Sequence, residues 1–110
     1  AQFLSMKYHS LRMLTCNLKG ESTGVAGLVT KLTGCELSHQ IGALAIDALG
    51  ELGVLYEGSK YLRSGGMWQF QYMFSLGLII GGGTAQIQKN IISERGLGMP
   101  REPRLEKGRN

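Results

Sequence analysis

The chain has 110 residues, 43% of them hydrophobic and 18% charged, which suits one compact domain with its own core and excludes a wholly disordered segment. The net charge of +4 is modest, and the basic excess gathers at the end, where Arg101, Arg104, Lys107 and Arg109 face only Glu102 and Glu106. Residues 101–110 therefore read as a basic, flexible, solvated tail rather than a nucleic-acid-binding or lipid-binding arm, and residues 1–100 as the folded domain.

Both prolines, Pro100 and Pro103, lie in that tail, so no proline breaks the chain before Met99. Leu4, Tyr8, Leu11, Thr15 and Leu18 recur at helical spacing and predict a helix over 3–19. Residues 20–24 form a connection in which Ser22 or Thr23 is available to cap the next helix. Leu28, Leu32, Cys35, His39, Gly42, Ile46 and Leu49 mark this second, longer helix, which ends at Gly50 and Gly53. Its small residues Gly34, Ser38, Gly42, Ala43, Ala45 and Ala48 let a neighbouring backbone come close, which places it in the middle of a bundle. Residues 54–66 are irregular and polar. Residues 67–80 predict a third helix, stopped by Gly81, Gly82 and Gly83. Thr84 can cap a fourth, in which Ile87, Ile91 and Arg95 share a side and which Gly96 and Gly98 end. The expected fold is all-α, a bundle of about four helices.

No charge occurs between Ser64 and Gln88, a stretch long enough to cross a bilayer. Gln69, Gln71 and Ser75 interrupt it and three glycines close it, so a packed bundle helix is the simpler reading and no membrane span is expected. Cys16 and Cys35, with no secretory leader in view, point to reduced thiols and a cytoplasmic setting. The opening at Ala1, inside a helical pattern, suggests a fragment or a processed chain.

Few constellations carry chemistry. The turn Gly81-Gly82-Gly83-Thr84 before a helix permits close backbone approach and leaves N–H donors free, which suits a phosphate or oxyanion; a sharp helical corner uses the same residues. It is neither a P-loop nor a dinucleotide fingerprint. Cys35 and His39 lie one turn apart but lack a second pair to complete a metal site. Trp68, Phe70, Tyr72 and Phe74 could form an aromatic box, although such a stripe more often serves a core or a subunit interface. Glu94 and Arg95 read as surface residues or an interface pair.

Three stretches resemble one family. Gly82-Gly83-Thr84-Ala85-Gln86-Ile87-Gln88 is similar to the [E/G]-G-T-x-[E/Q]-I-Q segment of acyl-CoA dehydrogenases. Asn90-Ile91-Ile92-Ser93-Glu94-Arg95 with Leu97-Gly98-Met99-Pro100 resembles their ending N-I-I-A-E-R-x-L-G-L-P. The stretch from Lys31 to Gly50 resembles the helix leading into their Q-x-x-G-G-x-G turn. The resemblance spans nearly the whole chain and is most specific in its last third.

The resemblance implies the family's C-terminal helical domain. The implied activity is oxidation of an acyl-CoA thioester to the 2,3-enoyl-CoA, with a carboxylate removing the α-proton and flavin N5 taking the β-hydride. Hydrogen bonds to the thioester carbonyl acidify the α-carbon. It also implies FAD at a subunit interface, an acyl-CoA substrate, an electron-transfer acceptor, and a homo- or hetero-oligomer packed through helical faces. The implied cofactor contacts are Thr84 and Gln86, with Gly83, at the adenosine end, and the turn of Asp47, Gly50 and Gly53 at the pyrophosphate. Two departures stand out. Gly82 occupies the position where many members carry the catalytic glutamate, so the chain supplies no catalytic base there, and the fragment alone is not expected to be active. Asp47 and Glu51 replace the family's glutamine and glycine, which sets two carboxylates near a pyrophosphate unless Lys60 or Arg63 pairs with them. Together these substitutions also suit a non-catalytic subunit of a mixed oligomer. A free-standing helical module that binds a phosphate-bearing ligand at 81–84 is a further reading.

Overall fold

The computed structural model describes residues 1–101 and Pro103; the expected tail beyond Arg101 otherwise lies outside the described residues. Four helices occur in order: α1 (Gln2–Lys19), α2 (Gly24–Leu49), α3 (Met67–Ile80) and α4 (Ala85–Ile91). Short 3₁₀ turns at Gly50–Val54 and Ser64–Gly66 flank the irregular segment between α2 and α3. The described residues contain no strand. The all-α expectation holds, and the helix limits fall within a few residues of those the sequence predicts.

Glycines set most of the ends. Gly20 is left-handed (φ 69°); its N–H reaches Asn17 O and the next N–H, Glu21, reaches Cys16 O, which satisfies the last carbonyls of α1. Gly50 stops α2 with φ 56° and ψ −131°, a conformation closed to side chains with a Cβ. Before α2, the Ser22 hydroxyl accepts from the Gly24 N–H, while the Thr23 side chain makes no capping bond. After α4, the chain widens into a π-turn at Ile92–Gly96, where the Leu97 N–H reaches back to Ile92 O. The widening brings Gly96 against Val25 and Leu28 at the start of α2. So Gly96 does more than stop a helix.

As its small residues predict, α2 is central: α1, α3, α4 and the π-turn all pack on it. At the α2–α3 crossing, a Cβ on Gly42 would stand 3.2 Å from Tyr72 Cα. Polar bonds join the helices. His39 Nδ1 lies 2.9 Å from Ser75 Oγ, which donates its one proton to Tyr72 O at 2.6 Å. His39 therefore donates through Nδ1. The same arrangement joins α1 to α2: His9 Nε2 lies 2.9 Å from Thr30 Oγ1, which donates to Ala26 O. Gln71 donates to Ser38, and Gln69 Nε2 donates to Leu52 O in the turn after α2. The buried Gln69 Oε1 has no partner among the described residues.

The burial pattern departs from the expected packed core. Among the described residues no large apolar side chain is fully buried; the buried polar ones are Gln69, 5% exposed, and Ser75, 0% exposed. The molecule measures 58 × 51 × 20 Å, so its thin dimension is about two helix diameters. The stripe Leu4, Tyr8, Leu11 and Leu18 does form one helix, but it faces outward. α1 meets α2 with Met6, His9, Met13 and Cys16 instead, all half-buried. α3 is inverted: Gln69, Gln71 and Ser75 point in, and Met67, Phe70, Met73, Phe74 and Ile80 point out. Exposed apolar surface this continuous is typical of faces covered by other protein.

Candidate functional site

The Gly81–Gly83 corner joins α3 to α4 and is held from three sides. Lys31, half-buried on α2, donates from Nζ to Ile79 O at 3.1 Å and to Gly83 O. Gln88 Nε2 donates to Gly82 O at 2.9 Å. Thr84 caps α4, its hydroxyl accepting from the Ile87 N–H at 3.4 Å. Gly82 (φ 69°) and Gly83 (φ 112°) both need the left-handed region, and a Cβ on Gly83 would stand 2.9 Å from Gln88 Nε2. The Gly83 carbonyl is thus bound to α2 and the Gly82 carbonyl to α4, and Thr84 and Gln86 stand exposed at the start of α4. Removal of the cap in Thr84→Ala should destabilise the α4 turn by about 1 kcal/mol. Amide exchange at Ile87 should then quicken about fivefold; an unchanged rate would show that the 3.4 Å bond contributes nothing.

The second candidate group lies elsewhere. Asp47 and Gly50 occupy the far end of α2 and are exposed, with Gly53 buried in the turn beyond. From Lys31, beneath the glycine corner, to Asp47 is sixteen residues, roughly 24 Å along the helix. The chain thus does not bring Thr84, Gln86 and Gly83 together with Asp47 and Gly50. Gly53 is tight as well, since a Cβ there would meet Ile46 O at 2.8 Å. Asp47 and Glu51 are exposed, and neither pairs with Lys60 or Arg63; the Lys60 ammonium instead lies 4.9 Å from the centroid of the Tyr61 ring.

Other candidates disperse. Cys35 is a free thiol and His39 is engaged by Ser75; among the described residues no cluster could hold a metal. Phe70 and Phe74 stack outside at 5.7 Å, Tyr72 lies against His39, and Trp68 lines a separate groove, so the four aromatics form no box. That groove, of about 690 Å³, runs between α1, α2 and α3 and is lined largely by Phe3, Met6, Leu37, Ile41, Met67 and Trp68. Glu94 pairs with Arg101 at 2.9 Å rather than with Arg95. The hydrogen bond first, and the charge second, raise the Arg101 guanidinium above its ordinary value. No described helix is long and apolar enough to cross a membrane.

A helical domain of this kind has known counterparts. The family model described as "Acyl-CoA dehydrogenase, C-terminal domain" matches residues 1–97. The chain belongs to the acyl-CoA dehydrogenase family. Acyl-CoA dehydrogenase IpdE1 of Mycolicibacterium smegmatis is 39% identical over 74 residues, covering 67% of this chain and 18% of that protein. IpdE1 of Mycobacterium tuberculosis is 38% identical over 74 residues, with the same coverage. Two solved structures share the fold: the ChsE4-ChsE5 complex from Mycobacterium tuberculosis (TM-score 0.77, 26% identity, 94% of this chain and 26% of that chain) and the Tcur3481-Tcur3483 steroid ACAD (TM-score 0.82, 24% identity, 93% and 27%). The chain spans about a fifth of the length of the curated acyl-CoA dehydrogenases it matches.

Lys31 and Gln88 were not singled out as site residues by sequence reasoning. Lys31 had a signal: it sits in an apolar, small-residue helix with no acid three or four residues away to pair with it.

Proposed function

We propose that this chain is the C-terminal helical domain of an FAD-dependent acyl-CoA dehydrogenase, contributing cofactor contacts and oligomer packing. The observation that carries the reading is the glycine corner: Gly83 O is tied to α2 and Gly82 O to Gln88, while Thr84, its hydroxyl proton not used by the α4 cap, and Gln86 stand exposed at the start of α4. The residues fit a dinucleotide cofactor there. Thr84 and Gln86, beside Gly83, would hold its adenosine end by hydrogen bonds. The flavin, when bound, supplies the hydride acceptor for oxidation of an acyl-CoA across its α and β carbons. Gly82 leaves the corner without a proton acceptor, so the base lies elsewhere in the protein.

At the other end of α2, Asp47, Gly50 and Gly53 would approach a pyrophosphate. Since α2 separates the two groups by roughly 24 Å, one chain offers them to different cofactor molecules, and each flavin site is completed by a second chain. The exposed faces of α1 and α3 supply the apolar surface such an assembly needs. Its reduced flavin would pass electrons to an external acceptor.

A second reading has its own observation. Asp47 and Glu51 are exposed and unpaired by any cation among the described residues, which disfavours a pyrophosphate beside them. With Gly82, they suit a partner subunit of a mixed oligomer, and the ChsE4-ChsE5 neighbour is a complex of two components.

The visible spectrum of the complete protein, purified without added cofactor, separates these readings. An oxidised-flavin spectrum that bleaches with an acyl-CoA, whether straight-chain or steroid-bearing, is the expected result. A colourless protein that takes up flavin only with a second family member overturns it in favour of the partner subunit.

A further inference from the structure

Lys31 is the most unusual charge in the domain. It projects from the first third of the central helix, half-buried, and no carboxylate among the described residues pairs with it. Its Nζ is met by two carbonyls instead, Ile79 O in the last turn of α3 and Gly83 O in the glycine corner. The last carbonyls of a helix carry partial negative charge and lack partners within it. A half-buried ammonium needs acceptors to offset its lost hydration. Each requirement meets the other, so one side chain bridges the end of α3 and the residue just before the α4 cap.

We propose that Lys31 is a positioning residue whose ammonium sets the Gly81–Gly83 corner and, through it, the placement of Thr84 and Gln86. This rests on the reading of Thr84 and Gln86 as cofactor contacts. Two geometric facts support it. Gly82 and Gly83 are the residues with the least conformational restraint of their own, so an external tie decides which conformation the corner holds. Of the remaining ties, the side-chain bonds of Gln88 to Gly82 and Thr84 to Ile87 come from α4 itself, and the backbone bonds of Gly81 to Gly77 O and Gly83 to Ile80 O come from α3. The first two would travel with α4 and the backbone pair runs only to α3, whereas Lys31 bonds the corner to the central helix α2.

The test uses the complete protein and Lys31→Met, which keeps the length and apolar stem while removing the ammonium, alongside Lys31→Arg, which keeps the charge. Amide exchange over the corner reads the positioning without any cofactor. Lys31→Met should speed exchange across 81–87 at least tenfold and leave α1 unchanged. Flavin affinity, read by absorbance and fluorescence titration, should weaken at least tenfold in the same variant and recover in large part in Lys31→Arg. Unchanged exchange overturns the proposal; so does faster exchange with unchanged flavin affinity. A general loss of fold shows itself as faster exchange in α1 as well, and that outcome also counts against a positioning role. A wild-type protein that binds no flavin fails the functional reading instead, while the exchange comparison still tests Lys31.

Discussion

Gly42→Leu should destabilise the domain by about 3 kcal/mol, the upper range for forcing bulk into a tight contact. Gly42 is buried where α2 crosses α3, and even a Cβ would stand 3.2 Å from Tyr72 Cα and 3.4 Å from Tyr72 N. Those are backbone atoms, so no rotamer change makes room. The helices must part, and the His39–Ser75 bond, 36 residues apart in sequence, opens with them. Gly42→Ala is the informative companion. Its smaller strain opposes a helix-propensity gain of about 1 kcal/mol, so it should lie near neutral. Denaturant unfolding of the complete protein measures both. A leucine variant within roughly 0.5 kcal/mol of the parent, the margin typical of harmless surface changes, would mean that the crossing is looser than the structure shows.

The second large effect concerns assembly. Phe70 and Phe74 stack on each other on the outward face of α3 and are 58% and 53% exposed. With Met67, Met73 and Ile80 they form an apolar strip on a segment without a single charge from Ser64 to Gln88. Such a strip offers on the order of 700 Å² of coverable surface, close to one side of a standard protein interface. The double change Phe70→Lys with Phe74→Lys should therefore dissociate the oligomer proposed for the complete protein in a sedimentation experiment. Helix content should hold, because like charges one turn apart cost only a few tenths of a kcal/mol. If the rest of the same chain covers the strip instead, sedimentation stays the same and the melting temperature falls.

The helices were legible in the sequence because their punctuation is strong. Gly20, Gly50 and Gly81 stop elements at positions where the backbone must turn, and Thr84 caps where its spacing predicts. The central place of α2 was legible from its small residues. What the pattern could not show is which side of a helix meets its own domain. Leu4, Tyr8, Leu11 and Leu18 establish periodicity, yet periodicity is equally satisfied by a face that other protein covers. The inversion of α3 was hidden for the same reason, since a helix with apolar residues all round has no preferred side until Ser75 and Gln69 find partners. The π-turn at Ile92 has no simple signature. At the candidate site, Thr84 and Gln86 are proposed through a family resemblance, whereas Lys31 reaches its carbonyls across 48 and 52 residues, a separation that no local motif spans.

The hydrogen-bonded seam between α2 and α3 bears on partner exchange. Apolar faces slide; donors and acceptors do not. A one-turn slip of α3 along α2, about 5.4 Å, would break the His39–Ser75, Gln71–Ser38 and Lys31–Ile79 bonds together. The domain therefore fixes its register with directional bonds and leaves its outer surfaces for non-directional adhesion. One subunit could replace another on the outer face of α3 without removing the side-chain ties of the glycine corner, because Lys31, Thr84 and Gln88 all lie on other helices. The proposed assembly gains from this separation: the identity of the neighbour can change while the angle at which Thr84 is presented stays the same.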